Sequence, residues 1–363
     1  MTPKAKPRPT IGLVAARARV APTTVSRVLN GGYVSAEARS RVERVIKELG
    51  YVPSPTARSL KYGRRGCIGV AAEYILGPWF IGLLEGIDEE LAKSRLSVML
   101  GGWRLRGRYD SSTVMAWISE RRVDGLILAR FTKREQPLLT AAQQAGIPTV
   151  FICPDETASV GFTVRCRNYE AGRAVAEHLI GLGHRRIAFA GGPPDSLDSL
   201  DRLRGLRDGV AGVRGATVQD ADVSFAKNYD GDSGIGPARA LLERPRSQWP
   251  SAVVVGNDVM ALTFMRELLK AGVRIPEEVS VVGFDGIAEG ARFFPAVTTV
   301  AQPMALLGKT ACRSLLERIE RAEPDQAVTV EYPMELVVRE STGPAPRLAA
   351  AAPARRRRAA TQA

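Results

Sequence analysis

Residues 20–32 read VAPTTVSRVLNGG, a stretch that carries both the start and the stop signals of a short helix. Pro22 suits a first helical position, because its missing N–H would have no intrahelical partner there. Gly31 and Gly32 follow Asn30 and end the helix, since glycine readily adopts the backbone that closes a helix. The stretch therefore predicts a helix from Pro22 to Asn30.

The two faces of this helix differ in polarity. Val25, Val28 and Leu29 recur at i, i+3 and i+4, so they form an apolar stripe that packs against neighbouring helices. The other face carries hydroxyl, guanidinium and amide groups and no acid, from Thr23, Thr24, Ser26, Arg27 and Asn30. Such a face suits a polar partner.

Two more helices are predicted beside it. Residues 11–16 form the first and residues 35–49 the third, which has apolar residues at helical spacing and Gly50 at its end. Two helices joined by a short turn and braced by a third form a helix-turn-helix arrangement. We assign it residues 10–53.

The charge of the chain is unevenly spread. Residues 1–65 hold fourteen Lys and Arg against three Glu, a net charge of +11, and residues 341–363 add +5. Of the total of +13, residues 66–340 therefore carry −3. A basic head on a slightly acidic body favours a polyanion-binding module, although charge alone fits an inert basic terminus equally well. We expect residues 1–9 and 343–363 to be disordered basic segments.

Residues 54–66 are predicted to form a short helix, from Pro55 to about Lys61, followed by a basic linker over residues 63–66. Ser54 is a good N-cap and Pro55 a good first helical residue. A helix this short is marginal in water by itself. Another molecule or segment therefore has to stabilise it.

From Cys67 onward, short apolar runs alternate with helical stretches. The runs include CIGVAA, LSVML, DGLILA, PTVFI, RIAFAGG, SAVVVGND and VSVVGFD, and helices are predicted over residues 80–93, 169–182 and 260–271. This alternation predicts an α/β fold, with parallel sheets covered by helices on both faces. Seven or more such units across residues 67–342 favour two lobes over one.

Ligands of parallel sheets bind beyond the carboxyl ends of the strands. Four polar residues follow predicted strands closely: Asp195, Asn257, Asp258 and Asp285. Turn and helix-capping roles are alternatives for all four, and we prefer them for Asp195 and Asp258.

Three other side chains are candidates for the same site. Trp79 and Phe80 follow a predicted strand and a Gly-Pro turn, where their rings either bind a sugar or base ring or pack in the core. Arg202 either holds a polar ligand with its guanidinium or is a solvated helix residue.

The motifs of common enzymes are absent. The chain lacks the glycine loop of dinucleotide folds, the Walker A sequence, GxSxG and HExxH. His178 and His184 do not share a helix face, and we interpret both as structural. The four cysteines lie far apart without CxxC spacing, so we expect buried thiols and neither disulfides nor zinc. We predict that the protein is not an enzyme and uses no metal or cofactor.

The composition is that of a globular chain, with 45% apolar and 25% charged residues among 363. No run approaches the ~18 apolar residues of a membrane span, and the N-terminus lacks the apolar run of a signal peptide. We expect a cytoplasmic protein without a membrane partner.

Taken together, these motifs resemble the lac repressor/gal repressor family of bacterial transcription regulators. The resemblance begins with VAPTTVSRVLNGGYVSAEARSRVERVIKELGYVPSPTARSL and continues through RRVDGLILA, EHLIGLGHRRIAFAGG, NDVMAL, PEEVSVVGFDGI, TTVAQP and ELVVREST. The motifs occur in order over about residues 10–342. The resemblance implies a homodimeric regulator, expected to be a repressor, with a helix-turn-helix head, a hinge helix and a two-lobed body like that of periplasmic binding proteins.

The resemblance also implies that the second helix of the head lies in the major groove of a double-stranded DNA operator. The DNA-binding residues that it implies are Pro22, Thr23, Thr24, Ser26, Arg27, Asn30, Ala57 and Leu60. Leu60 would be an apolar wedge in the minor groove. Ala21 departs from the family, which usually has serine there, so the second helix lacks a side-chain N-cap.

In the body, the resemblance implies a small-molecule effector, of sugar type, that is bound between the lobes and controls operator affinity. The effector-binding residues that it implies are Trp79, Phe80, Arg202, Asn257 and Asp285. Two other functions remain alternatives: a cytosolic solute-binding protein, and an α/β enzyme acting on a sugar or nucleotide. The basic head counts against the first, and the missing catalytic motifs count against the second.

Overall fold

The computed structural model describes residues 9–29, 31–51, 65–105, 108–155, 161–321 and 327–346. They belong to two compact units that divide between Gly66 and Cys67. The predicted hinge helix, and nearly all of the terminal arm and tail, lie outside the described residues.

The head is built from three helices: α1 (Ile11–Ala18), α2 (Pro22–Leu29) and α3 (Ala36–Leu49). Val14, Val25 and Val42, one from each helix, are fully buried in a shared apolar core. The prediction of three helices is confirmed. The first is two residues longer than expected, because it ends only where Arg19 adopts a left-handed backbone.

Side-chain caps begin two of these helices. The hydroxyl of Thr10 accepts a hydrogen bond from the Leu13 N–H at 3.2 Å, and that of Ser35 accepts one from the Ala38 N–H at 3.3 Å. Ala21 precedes α2 and has no side-chain oxygen. The second helix therefore starts without the hydrogen bond that its neighbours have.

The second unit contains two six-stranded sheets, one in each lobe. The first sheet is parallel throughout, in the order β13-β7-β6-β5-β1-β2, and comprises β1 (Cys67–Ala72), β2 (Ser97–Gly102), β5 (Gly125–Ala129), β6 (Thr149–Ile152), β7 (Phe162–Cys166) and β13 (Val328–Tyr332). The helices of this lobe are α4 (Pro78–Leu91), α5 (Ser112–Ser119), α6 (Gln136–Gln144) and α12 (Met304–Arg321), and a small ribbon joins β3 (Arg104–Leu105) to β4 (Arg108–Tyr109). Val70 packs with α4 and α12 on one face of the sheet, and its neighbour Ala71 packs with α5 and α6 on the other.

The second lobe repeats this plan. Its sheet, in the order β14-β12-β11-β10-β8-β9, comprises β8 (Ile187–Gly191), β9 (Val223–Phe225), β10 (Ala252–Val255), β11 (Ser280–Asp285), β12 (Thr298–Ala301) and β14 (Glu335–Val337). Only β14 is antiparallel to its neighbour. The helices are α7 (Asn168–Gly181), α8 (Leu197–Val210), α9 (Ile235–Leu242), α10 (Asp258–Lys270) and α11 (Ala288–Arg292). The predicted two-lobed α/β fold is thus confirmed.

The chain passes between the lobes three times. The passages join β7 to α7, β12 to α12, and β13 to β14. The last strand and helix of the first sheet therefore come from sequence that follows the second lobe. This arrangement brings strand ends and loops of both lobes to a shared cleft.

Close helix contacts at glycine hold each lobe together. A Cβ on Gly86 of α4 would overlap the carbonyl oxygen of Ala305 in α12, and a Cβ on Gly205 of α8 would overlap that of Tyr169 in α7. Only glycine allows two helix backbones to approach this closely. The positions of α8 and of its polar side chains are fixed in this way.

Candidate functional site

The polar face of α2 is the candidate surface of the head. Pro22, Thr23 and Arg27 are exposed, and Thr24 and Ser26 are half-buried. The apolar stripe beneath them is held by the buried Val25 and Val28. The face that the sequence predicts is therefore presented outward among the described residues of the head. The other predicted DNA contacts, Asn30, Ala57 and Leu60, lie outside the described residues.

The candidate site of the second unit is a cavity of about 500 Å³ between the two lobes. It is lined by ends of strands, starts of helices and connecting loops of both lobes. All five residues predicted for this site lie on its wall: Trp79, Phe80, Arg202, Asn257 and Asp285.

Trp79 and Phe80 stand in the first turn of α4, which begins at Pro78. Phe80 is 1% exposed and belongs to the core of the first lobe. Trp79 is half-buried, and its indole N–H donates to the side-chain oxygen of Gln302 at 3.1 Å. The sequence left core packing and ligand binding open for both rings. In the structure Phe80 packs mainly in the core, and Trp79 faces the cleft.

Gln302 connects the two lobes at this point. It lies in the passage from β12 to α12, and its amide nitrogen donates to Asp285 Oδ1 at 2.7 Å while its oxygen accepts from Trp79. Gln302 belongs to the motif TTVAQP, but the sequence alone assigns it no role, because its significance depends on a partner 223 residues away.

Asp285 ends β11 with a φ of 109°, a backbone conformation that is unfavourable for a residue other than glycine. Burial raises the pKa of its carboxyl to about 7, because removing a charge from water disfavours the ionised form. Arg202 and the hydrogen bond from Gln302 act in the opposite direction. Strain and burial at one carboxyl group are typical of a binding site.

Asn257 and Asp258 begin α10. Asn257 accepts from the Met260 N–H at 2.9 Å as the N-cap, and its amide nitrogen donates to the Tyr229 carbonyl at 3.1 Å. Asp258 is fully buried and accepts from the N–H groups of Gly286 and Ile287 at 2.8 and 2.9 Å. It therefore stabilises the loop after β11, and burial raises its pKa to about 6.

Arg202 is 3% exposed, so the solvated alternative is wrong. Its Nε donates to Asn168 Oδ1 at 2.7 Å, its Nη1 donates to the Gly256 carbonyl at 2.6 Å, and its guanidinium lies 4.3 Å from the centre of the Phe284 ring. The side chain is thus fixed before any ligand contact is made.

Arg130 is a cleft residue that the sequence analysis missed. It follows β5 directly, and its guanidinium forms ion pairs with Asp198 at 2.8 Å and Asp155 at 2.9 Å. Burial acts to lower the pKa of Arg130, but Asp155, Tyr229 and Asp198 hold it well above the ordinary value. Its place after the run DGLILA was a usable signal, as was the spacing of Asp198 four residues before Arg202 on one helix face.

The rest of the wall carries charge of both signs. Arg104 pairs with Glu73 at 2.8 Å within the first lobe. Asp230 and Asp232 are exposed in the loop of the second lobe that lines the cavity. The positive charges at the wall are therefore matched by nearby acids, and these two carboxylates add further negative charge.

The other titratable candidates have structural positions. His184 is fully buried and contacts Ser251 Oγ at 2.9 Å and the Gly343 carbonyl at 3.1 Å, and His178 contacts Thr342 Oγ1 at 3.0 Å. Asp195 is an exposed turn residue, as preferred from sequence.

Three of the four cysteines are buried, but Cys67 is only half-buried because it begins β1 at the end of the sheet, so the prediction of four buried thiols is wrong for it. Among the described residues, no group of three or more His, Cys, Asp or Glu side chains is arranged to hold a metal ion. No helix in the same residues is long and apolar enough to cross a membrane.

Two protein families match separate parts of this chain. Residues 10–54 match the family described as bacterial regulatory proteins, lacI family. Residues 176–342 match the periplasmic binding protein-like domain.

Curated relatives match this chain over nearly their whole length. The HTH-type transcriptional regulator CelR of Thermobifida fusca is 33% identical over 345 residues, which cover 92% of this chain and 98% of the relative. The HTH-type transcriptional repressor PurR of Escherichia coli O139:H28 is 32% identical over 345 residues, covering 93% and 98%.

Solved structures agree with these matches. The complex of the transcriptional regulator CelR with cellobiose is 31% identical with a TM-score of 0.68, over 92% of this chain and 100% of that one. The lac repressor dimer bound to operator and the anti-inducer ONPF is 27% identical with a TM-score of 0.78, over 93% and 100%.

Proposed function

Because the chain belongs to the lacI family of bacterial regulatory proteins, we propose that it is a transcription regulator, expected to act as a repressor. It binds an operator in double-stranded DNA through residues 10–53 and responds to a small molecule bound between the lobes of residues 67–342. Residues 54–66 connect these two functions as the hinge. A regulator that acts on DNA in this way works in the cytoplasm.

One observation carries this proposal. A head with an outward polar helix face and a two-lobed unit with a polar cleft occur in the same chain. A solute-binding protein would need only the cleft, and an enzyme would need reacting groups within it. The cleft polar groups described above instead form hydrogen bonds and ion pairs with one another, which favours binding over catalysis.

For the head, we propose that α2 lies in the major groove. Exposed Thr23 and Arg27 are available to base edges and phosphates, and an arginine that contacts guanine is worth about 1–3 kcal/mol of discrimination. Asn30, Ala57 and Leu60 complete the proposed DNA contacts, with Leu60 in the minor groove.

For the cleft, we propose a neutral, polyhydroxylated ligand of sugar type. Trp79 offers an aromatic face, and Arg202, Asn257 and Asp285 offer donors and acceptors to hydroxyl groups. A phosphorylated ligand is disfavoured, because the guanidinium of Arg130 is already paired with protein carboxylates and the cavity wall has an excess of acids.

We also propose that two copies associate. β2 is an edge strand of the first sheet, and Val98 and Leu100 expose apolar side chains on it. Unpaired apolar edges are commonly covered by another chain. Sedimentation of the full chain should give about twice the monomer mass of 39.1 kDa, and Leu100→Lys should lower that value.

The DNA arm of the proposal is tested by selection of random duplexes on the full chain, followed by a mobility-shift titration at several salt concentrations. We expect the selection to give one preferred sequence, which binds more tightly than a scrambled duplex. The affinity for the preferred sequence should fall steeply as the salt concentration rises, because binding releases the cations condensed on the DNA phosphates. Equal binding of preferred and scrambled duplexes at every salt concentration would falsify the proposal.

The ligand arm is tested by thermal shift with cellobiose, glucose, glucose 6-phosphate and adenine as probes. A ligand that binds only the folded state raises its stability. We expect a neutral saccharide to raise the melting temperature and to change operator affinity in the mobility-shift titration. If glucose 6-phosphate alone raised the melting temperature, the proposal of a neutral ligand would be wrong. The proposal of DNA binding would be unaffected.

A further inference from the structure

The two lobes are joined directly by a cluster of charged and polar side chains around Arg130. Arg130 directly follows β5 of the first lobe, and its guanidinium reaches the start of α8 in the second lobe. Nη1 donates to Asp198 Oδ2 at 2.8 Å, and Nη2 donates to Ser196 Oγ at 3.2 Å. Both partners are fixed by the first turn of α8, where Ser196 is the N-cap.

A second carboxylate completes the connection from the first lobe. Asp155 follows β6 and pairs with Arg130 Nη2 at 2.9 Å. The same carboxylate accepts a hydrogen bond from Ser196 Oγ at 2.9 Å, and this bond also crosses between the lobes. The guanidinium lies 4.7 Å from the centre of the Tyr229 ring of the second lobe. Five side chains from the two lobes thus form one contiguous network.

The network is shielded from solvent. The side chains of Arg130, Asp155 and Asp198 are only 13%, 10% and 4% exposed. Attraction between charges at such depth is weakly screened by salt, and a buried charge separated from its partner is strongly unfavourable. Arg130 also has a φ of 59°, a conformation that persists only where its surroundings enforce it.

We propose that Arg130 is a latch that holds the two lobes together through protein atoms alone. An effector atom is not needed to bridge them, because Asp198, Ser196 and Tyr229 already provide the second-lobe half of the contact. The consequence for regulation, which rests on the proposed function, is that an effector acts only through its different affinities for latched and unlatched forms. A ligand that fits the latched cavity is bound without having to close the lobes itself.

Hydrogen exchange of the full chain, without DNA or ligand, tests the latch. Two variants weaken it: Asp198→Asn, which keeps the Arg130–Asp155 pair, and Arg130→Met with Asp198→Asn, which also removes the guanidinium. The amides of Gly77, Trp79 and Phe80 report on opening, because these residues line the first-lobe side of the cavity. The matched control is Arg186→Met, which removes an arginine from the buried Asp222 within the second lobe while Arg244 remains paired to it.

We expect several-fold faster exchange at these three amides in both latch variants, with the larger change in the double variant, and no change in the control. Far-UV circular dichroism checks that each variant is folded. If the double variant does not fold, the exchange rates of Asp198→Asn by themselves test the latch. Wild-type exchange in a folded latch variant, or equal acceleration in Arg186→Met, overturns the latch. Because neither DNA nor a ligand is present, this outcome is independent of the tests of the proposed function.

Discussion

The head and the cleft each present an arginine as a candidate contact, and the surroundings of these two arginines differ. Arg27 is exposed on α2, above a core of buried valines that does not involve it. Arg202 is 3% exposed and donates to Asn168 and to the Gly256 carbonyl. In the head, the candidate DNA contact therefore takes no part in the core. In the cleft, the same side chains are candidate ligand contacts and also stabilise the fold.

This difference makes Arg202→Met the most destabilising change that we predict. The substitution leaves buried acceptors without their donor and Asp285 without a nearby cation, which costs about 3–5 kcal/mol. The matched variant Arg204→Met lies on the same helix, but its side chain is 63% exposed, so it should cost less than about 1 kcal/mol. Urea unfolding of the full chain measures both. Equal losses of unfolding free energy in the two variants would show that the buried contacts of Arg202 do not contribute to stability.

The cleft should also make the stability of the chain depend on pH. The unfolded carboxyl of Asp285 titrates near 3.8 and the folded one at about 7, so the folded state holds the proton between these pH values. Its contribution to stability is complete below about pH 4 and is lost as the pH rises through 7, by about 4 kcal/mol at most. Asp285→Asn should flatten this decline in unfolding free energy between pH 4 and 8. An unchanged slope would rule out Asp285 as its source.

A smaller loss of stability is expected from Gly205→Ala, at the crossing of α7 and α8. The new Cβ would overlap the Tyr169 carbonyl oxygen, and overpacking of this kind costs about 1–3 kcal/mol. Gly181→Ala, at the end of α7, has no atom within 4 Å of the new Cβ and should be neutral or slightly stabilising. Thermal unfolding distinguishes the two. A neutral Gly205→Ala would mean that the helices can separate without cost.

In the head, Arg27→Ala should weaken DNA binding without lowering stability. We expect a loss of about 1–3 kcal/mol in operator binding, roughly fivefold to 150-fold, because one base or phosphate contact is removed. Mobility-shift titration measures the affinity, and the melting temperature should stay at the wild-type value. Arg44→Ala, an exposed position on α3 outside the proposed contact face, should leave the affinity nearly unchanged. A fall in stability for Arg27→Ala would contradict the separation of roles in the head.

The smallest predicted effect is a gain from Ala21→Ser. Serine would give α2 the side-chain cap that Thr10 and Ser35 give its neighbours, for about 1 kcal/mol of added stability. Operator preference should not change, since the cap does not alter the polar face. Ala21→Gly is the control and should gain less. A change in the selected DNA sequence would show that position 21 also contributes to recognition.

The two regions also differ in how far the sequence predicted them. In the head, the helices and the exposed face of α2 follow from local signals, namely Pro22, the spacing of Val25 and Val28, and the closing glycines. In the body, the run DGLILA predicted β5 correctly. The same run did not reveal that the next residue, Arg130, would reach across to α8.

Periodicity, turn residues and capping act over a few positions, so the sequence by itself determined the helices of the head, the alternation of strands and helices, and the two-lobed class. The candidate contacts in the cleft had to be placed by tertiary structure, because their partners are distant along the chain. Trp79 meets Gln302 across 223 residues, and Arg130 meets Asp198 across 68. Only the folded chain, which passes between the lobes three times, decides which buried charges are paired and which groups remain to face a ligand.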